Sequence, residues 1–283
     1  MKILIGIILF YLPTSFASSL GELGSELLAK GAECNLQNEK VVVCVLDKEN
    51  FSYPNNTTLI FHQNTQVQEF LVHLHGHSFG PLSSGEDFDS SPEKIIKSFG
   101  FVSAILNHPK LAIVIPFTTG KCKDYDQYFA RENNFEKYID EVRMALGNPS
   151  KLHLSAHSGG GRTLAKTINK MKSVISSVSL FDAIYSSART AQYQSWIKLN
   201  NKILNLIAIK GNTPYKESVK IDNSLNWNLI FRKNISEIGP YFFHSKKEYK
   251  SSKMNFFSQE RNKKHYHWVI VRDALPLVLD TLK

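Results

Sequence analysis

Cysteine is scarce in this chain. Cys34, Cys44 and Cys122 are the three present, too few and too irregularly spaced for a disulfide scaffold or a zinc finger. Cys34 and Cys44 are close enough to close a short loop at the start of the fold, but the pairing among the three stays open. Acidic residues are also in deficit: 25 stand against 34 basic ones, a formal net charge of +9. That surplus favours encounter with anionic surfaces or polymers and says nothing about fold. No internal repeat and no linker interrupts the chain, which suits one large domain with a full hydrophobic core.

Long apolar runs are missing as well. The chain opens MKILIGIILFYLPTSFASS, with one lysine, an apolar run from Ile3 to Leu12, a proline, and small Ser15 and Ala17 flanking Phe16. The run is short of the roughly 20 residues that cross a bilayer, and its flanks have the build of a secretory signal peptide cleaved near Ala17. We expect residues 1–17 to be that signal and 18–283 a single domain, periplasmic or secreted.

Eight short runs rich in β-branched residues follow: KVVVCVL, TTLIF, EFLVHLH, LAIVIPF, KLHLSA, VISSVSLF, KILNLIAI and LNWNLIF. Several are almost continuously apolar, as strands buried on both faces are. Between them lie amphipathic stretches. Ser91 can cap a helix with Pro92 at its first position. Phe135, Tyr138, Ile139, Val142 and Leu146 share one helical face, which Gly147 and Pro149 end. RTLAKTINKMK, AQYQSWIKLN and the terminal VRDALPLVLDTL, with Pro276 inside it, repeat the pattern. The expected fold is α/β, a mostly parallel eight-stranded sheet with helices on both faces.

Two serines compete as nucleophile. Gly76-His77-Ser78-Phe79-Gly80 fits G-x-S-x-G, yet PLSSGEDFDSSP follows it, and that is loop chemistry. A nucleophile elbow needs a strand, a turn too tight for bulky neighbours, and then a helix whose first amides face a developing oxyanion. KLHLSAHSGGGRTLAK offers that context: Ala156-His157-Ser158-Gly159-Gly160 follows the fifth run and leads into a helix. Ser158 is the better candidate.

An attacking serine needs a histidine as base and a carboxylate to orient it. Asp182 stands at the end of the sixth run. His267 lies just before the last helix, with His265 as the reserve base. In the order Ser158, Asp182, His267 the chain resembles the α/β-hydrolase superfamily over nearly its whole mature length. It departs in two places: alanine replaces the first glycine of the elbow, and the turn IAIKGNTPYKES after the seventh run lacks the aspartate that many members use. Some members take the acid from the sixth strand, which implies Asp182; Glu217 is the reserve. The resemblance further implies that His75-Gly76 is an oxyanion loop, with the amides of His77 and Gly159 as donors and no cofactor. Arg162 and His75 are candidate substrate contacts.

Other chemistries leave their own marks. His73, His75 and His77 alternate as zinc ligands do, with His153, His157, Asp182 and His265 available to complete a set. The H-x-H-x-D-H motif of the metallo-β-lactamase superfamily would, however, need aspartate at 77 and histidine at 78, where His77 and Ser78 stand. A zinc-dependent hydrolase is therefore the alternative reading. A hydrolase-like protein that only binds an anionic polymer is the third. The lysine-rich stretch from His244 to Trp268 reads as a solvated loop, and no nucleic-acid partner is expected.

Overall fold

The computed structural model describes residues 20–76, 92–118, 123–199, 201–223, 228–235, 241–249, 252–259 and 266–282. The expected signal peptide, His77, Ser78, Ser91, Cys122 and His265 lie outside the described residues. The chain begins with α1 (Gly21–Ala29), β1 (Glu33–Gln37), β2 (Val41–Leu46), β3 (Thr57–His62) and β4 (Glu69–Leu74). After α2 (Pro92–Phe99) and α3 (Phe101–Asn107) come β5 (Leu111–Pro116), α4 (Lys123–Phe129), α5 (Asn134–Ala145) and β6 (Lys151–His157). Then follow α6 (Gly160–Thr167), β7 (Ile175–Phe181), α7 (Ser187–Ile197), β8 (Ile203–Ile209) and α8 (Thr213–Asn223). The chain closes with β9 (Asn228–Ile235), β10 (Tyr241–Tyr249), β11 (Ser252–Gln259) and α9 (Tyr266–Asp280).

Among the described residues, eleven strands form one sheet in the order β1-β2-β3-β5-β4-β6-β7-β8-β11-β10-β9. The six central strands, β5, β4, β6, β7, β8 and β11, run parallel. Antiparallel strands flank them on both sides. All eight apolar runs contribute strands, and those from β2 to β8 are almost wholly buried, as continuous apolar sequence requires. Three strands exceed that count. β1 pairs with β2, and the Cys34–Cys44 disulfide links these neighbours at a directly opposed position. β10 and β11 form a hairpin that adds to the parallel edge of β8, so the lysine-rich stretch is mostly sheet and not a solvated loop.

Helices cover both faces. On one, Leu154, Ala156, Val178, Leu204 and Leu206 pack with Tyr138, Ile139 and Val142 of α5, Leu164 of α6 and Trp196 of α7. On the other, Leu71, Ile113, Phe181 and Ile207 meet Phe99, Phe101, Ile270 and Leu275 from α2, α3 and α9. Alternate residues of β8 divide between the two layers, as the two-residue side-chain period requires. α9 runs through Pro276 and begins at Tyr266, so His267 sits in its first turn and not before it. The stretch after β8, expected to be a turn, continues into α8. Parallel strands bring their C-terminal ends to one edge, and β4, β6, β7 and β8 there deliver His75, Ser158, Asp182 and Asn212.

Candidate active site

Ser158 opens the two-residue turn between β6 and α6, with φ of +50°. A non-glycine residue in the left-handed region is uncommon and has to be held there by its surroundings. Its N–H donates to the carbonyl of Phe181 at 3.1 Å, which extends the strand ladder by one rung. Backbone packing is tight on either side. A Cβ at Gly160 would lie 2.2 Å from the carbonyl oxygen of Leu74, and one at Gly76 would lie 2.7 Å from Cβ of Ser158. Only glycine lets the loop after β4 and the start of α6 close around the serine. Gly159 is the N-cap of α6, where backbone amides lack intrahelical partners and the helix dipole favours negative charge.

Asp182 also has a left-handed backbone, φ +48°, immediately after β7. It is 2% exposed, and a carboxylate so buried needs several hydrogen bonds. Its Oδ2 accepts from Nδ1 of His267 at 2.7 Å, and its Oδ1 accepts from Nδ2 of Asn212 at 2.6 Å. The Nδ1 bond fixes the neutral tautomer of His267 with Nε2 as the acceptor. The His267 side chain keeps 23% exposure, so reagents can reach the ring. Behind it, the ring of His157 lies 4.7 Å away, and His157 Nε2 donates to the His267 carbonyl at 2.8 Å. Burial, then the charge of His267, holds His157 well below the ordinary histidine range.

Tyr185 completes the surroundings. Tyr185 is itself 40% exposed, and desolvation of its phenol, followed by the charge of Asp182, pushes that group up to about 12, with the Ser158 side chain acting the other way. Nothing in the sequence marks Tyr185, since its role depends on where the loop after β7 turns. Asn212 does carry a local signal: it precedes Thr213-Pro214, a pattern that starts helices.

The remaining sequence candidates separate from this group. Arg162 pairs with Asp126 at 2.5 Å, and Asp126 also accepts from Thr163 at 2.7 Å and Lys166 at 3.0 Å. Glu217 accepts from Thr190 at 2.6 Å and Lys220 at 2.5 Å, which ties α7 to α8. His73 bonds Ser155 at 2.8 Å within the ring cluster of Phe99, Phe101 and Phe181. His75 instead faces Phe117 and Tyr125, its Nδ1 donating to the carbonyl of Gly76 at 3.0 Å. It is 2% exposed, which leaves little of it for a substrate to touch. Burial takes His73 down to about 3 and His75 to about 4. Among the described residues, no three histidine, cysteine or carboxylate side chains are grouped to hold a metal ion.

No family model and no curated protein sequence matches this chain. Solved structures do. An S-formylglutathione hydrolase from Staphylococcus aureus aligns with TM-score 0.55 and 12% identity over 86% of this chain and 96% of its own. A fluorophosphonate-binding serine hydrolase from the same organism aligns with TM-score 0.53 and 11% identity, over 86% and 97%. A feruloyl esterase module from Clostridium thermocellum, solved with sinapinate, aligns with TM-score 0.52 and 13% identity, over 86% and 89%. With the strand order and the left-handed serine between β6 and α6, these likenesses establish that the chain has the α/β-hydrolase fold.

Proposed function

We propose that this chain is an exported serine hydrolase that cleaves a small ester through an acyl-enzyme, with Ser158, His267 and Asp182 as its triad. The observation that carries the reading is the 2.7 Å bond between His267 and buried Asp182, on the sheet edge where Ser158 sits in a left-handed turn. Two residues 85 positions apart meet there on a carboxylate that the core would otherwise exclude.

In the first half-reaction, Oγ of Ser158 attacks the ester carbonyl while its proton moves to Nε2 of His267. The tetrahedral intermediate collapses, the bond to the leaving alkoxide breaks, and the imidazolium returns the proton to that alkoxide. Water repeats the sequence on the acyl-enzyme and releases the carboxylic acid. The amides of Gly159 and His77 are the oxyanion donors in this scheme, His77 lying outside the described residues. Asp182 holds the tautomer and stabilises the imidazolium. The names of the similar structures favour an ester over an amide and a small molecule over a polymer. Export rests on the N-terminal apolar run, and the Cys34–Cys44 bond suits an oxidising compartment.

Fluorophosphonate labelling of the mature protein tests the triad. Wild type and Ser78→Ala should label, with or without chelator, and Ser158→Ala should not. A folded wild type that stays unlabelled sinks the reading and turns attention to binding of an anionic polymer.

A further inference from the structure

We propose that Asn212 is a positioning residue for the triad, the donor that fixes which edge of Asp182 faces His267. The inference rests on the serine-hydrolase reading above. A carboxylate on a short side chain turns easily about its last torsion, and its two oxygens are chemically equivalent. For Oδ2 to stay on His267, Oδ1 needs a partner of its own. Asn212 Nδ2 supplies it at 2.6 Å, while the other bond to Oδ1, from the Ile209 amide, is long at 3.4 Å.

The orientation of the Asn212 amide is set independently. Its Oδ1 accepts from the backbone N–H of Tyr215 at 2.9 Å, the bond an N-cap makes three residues into its helix. With the oxygen committed to α8, the amide can only present its NH₂ to Asp182. The turn is closed by the Asn212 N–H on the carbonyl of Ile209 at 3.3 Å. One side chain therefore joins the start of α8 to the acid after β7.

Capping alone does not require asparagine. Aspartate caps about as well and sits more favourably at the positive end of a helix dipole. It would, however, bring a second carboxylate where Asp182 now receives a proton donor. The two roles thus predict opposite results for Asn212→Asp. A cap-only residue would tolerate the change in both stability and activity. A positioning residue would keep the fold and lose the reaction.

The experiment compares wild type, Asn212→Asp and Asn212→Ser for melting temperature, for the rate of fluorophosphonate labelling, and for turnover of p-nitrophenyl acetate across pH. Both variants retain a capping oxygen, so both should fold, with Asn212→Asp melting lower because it sets a second carboxylate beside buried Asp182. Labelling rate and kcat should fall on the order of tenfold or more, the scale of one lost charge-assisted hydrogen bond, while KM changes little. The Asn212→Asp defect should shrink as pH falls, because two adjacent carboxylates share a proton and the protonated one again donates to Asp182. The Asn212→Ser defect should not shrink, since serine does not titrate. If wild type labels at Ser158 and both variants match its rate, the positioning role is wrong and the triad stands. If wild type itself fails to label, the underlying reading is what failed. Should Asn212→Asp unfold, Asn212→Ser decides: wild-type labelling by a folded Ser variant overturns the proposal.

Discussion

The phenol of Tyr185 stays protonated at any working pH, since desolvation pushes it up to about 12, and the Ser158 side chain acts to lower it, as a hydroxyl directed at the phenol oxygen would. Tyr185→Phe keeps the ring, removes the oxygen beside Ser158, and should slow fluorophosphonate labelling by roughly fivefold, the equivalent of about 1 kcal/mol for one neutral polar contact. An unchanged labelling rate would reduce Tyr185 to a wall of the site. The larger effect belongs to the acid. Asp182→Asn replaces an acceptor of the Nδ1 proton with an amide that can favour the wrong tautomer of His267, and should lower kcat by about 10⁴ in a folded protein. Retention of more than about a tenth of the activity would mean that another carboxylate orients the base. Glu217 is not placed for that task, being held by Thr190 and Lys220.

Elements meet most tightly where α6 starts. Gly160 touches backbone of β4 and the loop beyond it, and backbone cannot swing aside as a flexible side chain can. Gly160→Ala should therefore cost about 1–3 kcal/mol or more, read as a lowered melting temperature together with slower labelling at Ser158. A variant that melts with wild type would show that the loop after β4 yields. This scale also separates what the sequence makes legible from what it hides. Strands buried on both faces announce themselves as apolar runs, which made the central strands readable, and the three triad candidates stand out because each closes or opens an element. The hairpin β10–β11 was hidden because lysines interrupt its apolar residues, and a charged run resembles a solvated loop until a neighbouring strand is known. α8 was hidden because Gly211-Asn212-Thr213-Pro214 punctuates like a turn, although the same residues begin a helix. Tyr185 and Asn212 act through contacts made across the sheet edge, which no local pattern encodes.

At the scale of the whole molecule, the triad edge and the adjoining core rest on histidines that the fold keeps neutral. His73 and His75 are held near 3 and 4 by burial, and His157 is held well below its ordinary value by burial and its neighbours' charge. An unfolded chain would protonate all three near pH 6.5. Between that pH and the folded values, the unfolded state binds more protons than the folded one, so stability must fall as pH falls. Each such histidine removes up to about 1.4 kcal/mol per pH unit across its window. Glu69 adds a later loss. The hydrogen bond from His153 holds its carboxyl at about 2, so its contribution is complete above 4.5 and disappears as pH drops toward 2. The net charge of +9, rising further in acid, works in the same direction through self-repulsion. Denaturant unfolding at pH 7.5, 6.5, 5.5 and 4.5 should thus give free energies level between the first two and falling steeply through the last two. His73→Leu should flatten the slope below pH 6.5 by one histidine's share, whatever it does to stability at pH 7.5, because leucine removes a titrating group from the Phe99, Phe101 and Phe181 cluster. A slope that is the same in both proteins would place His73 in contact with solvent protons in the folded state and count against the packing of this face of the sheet.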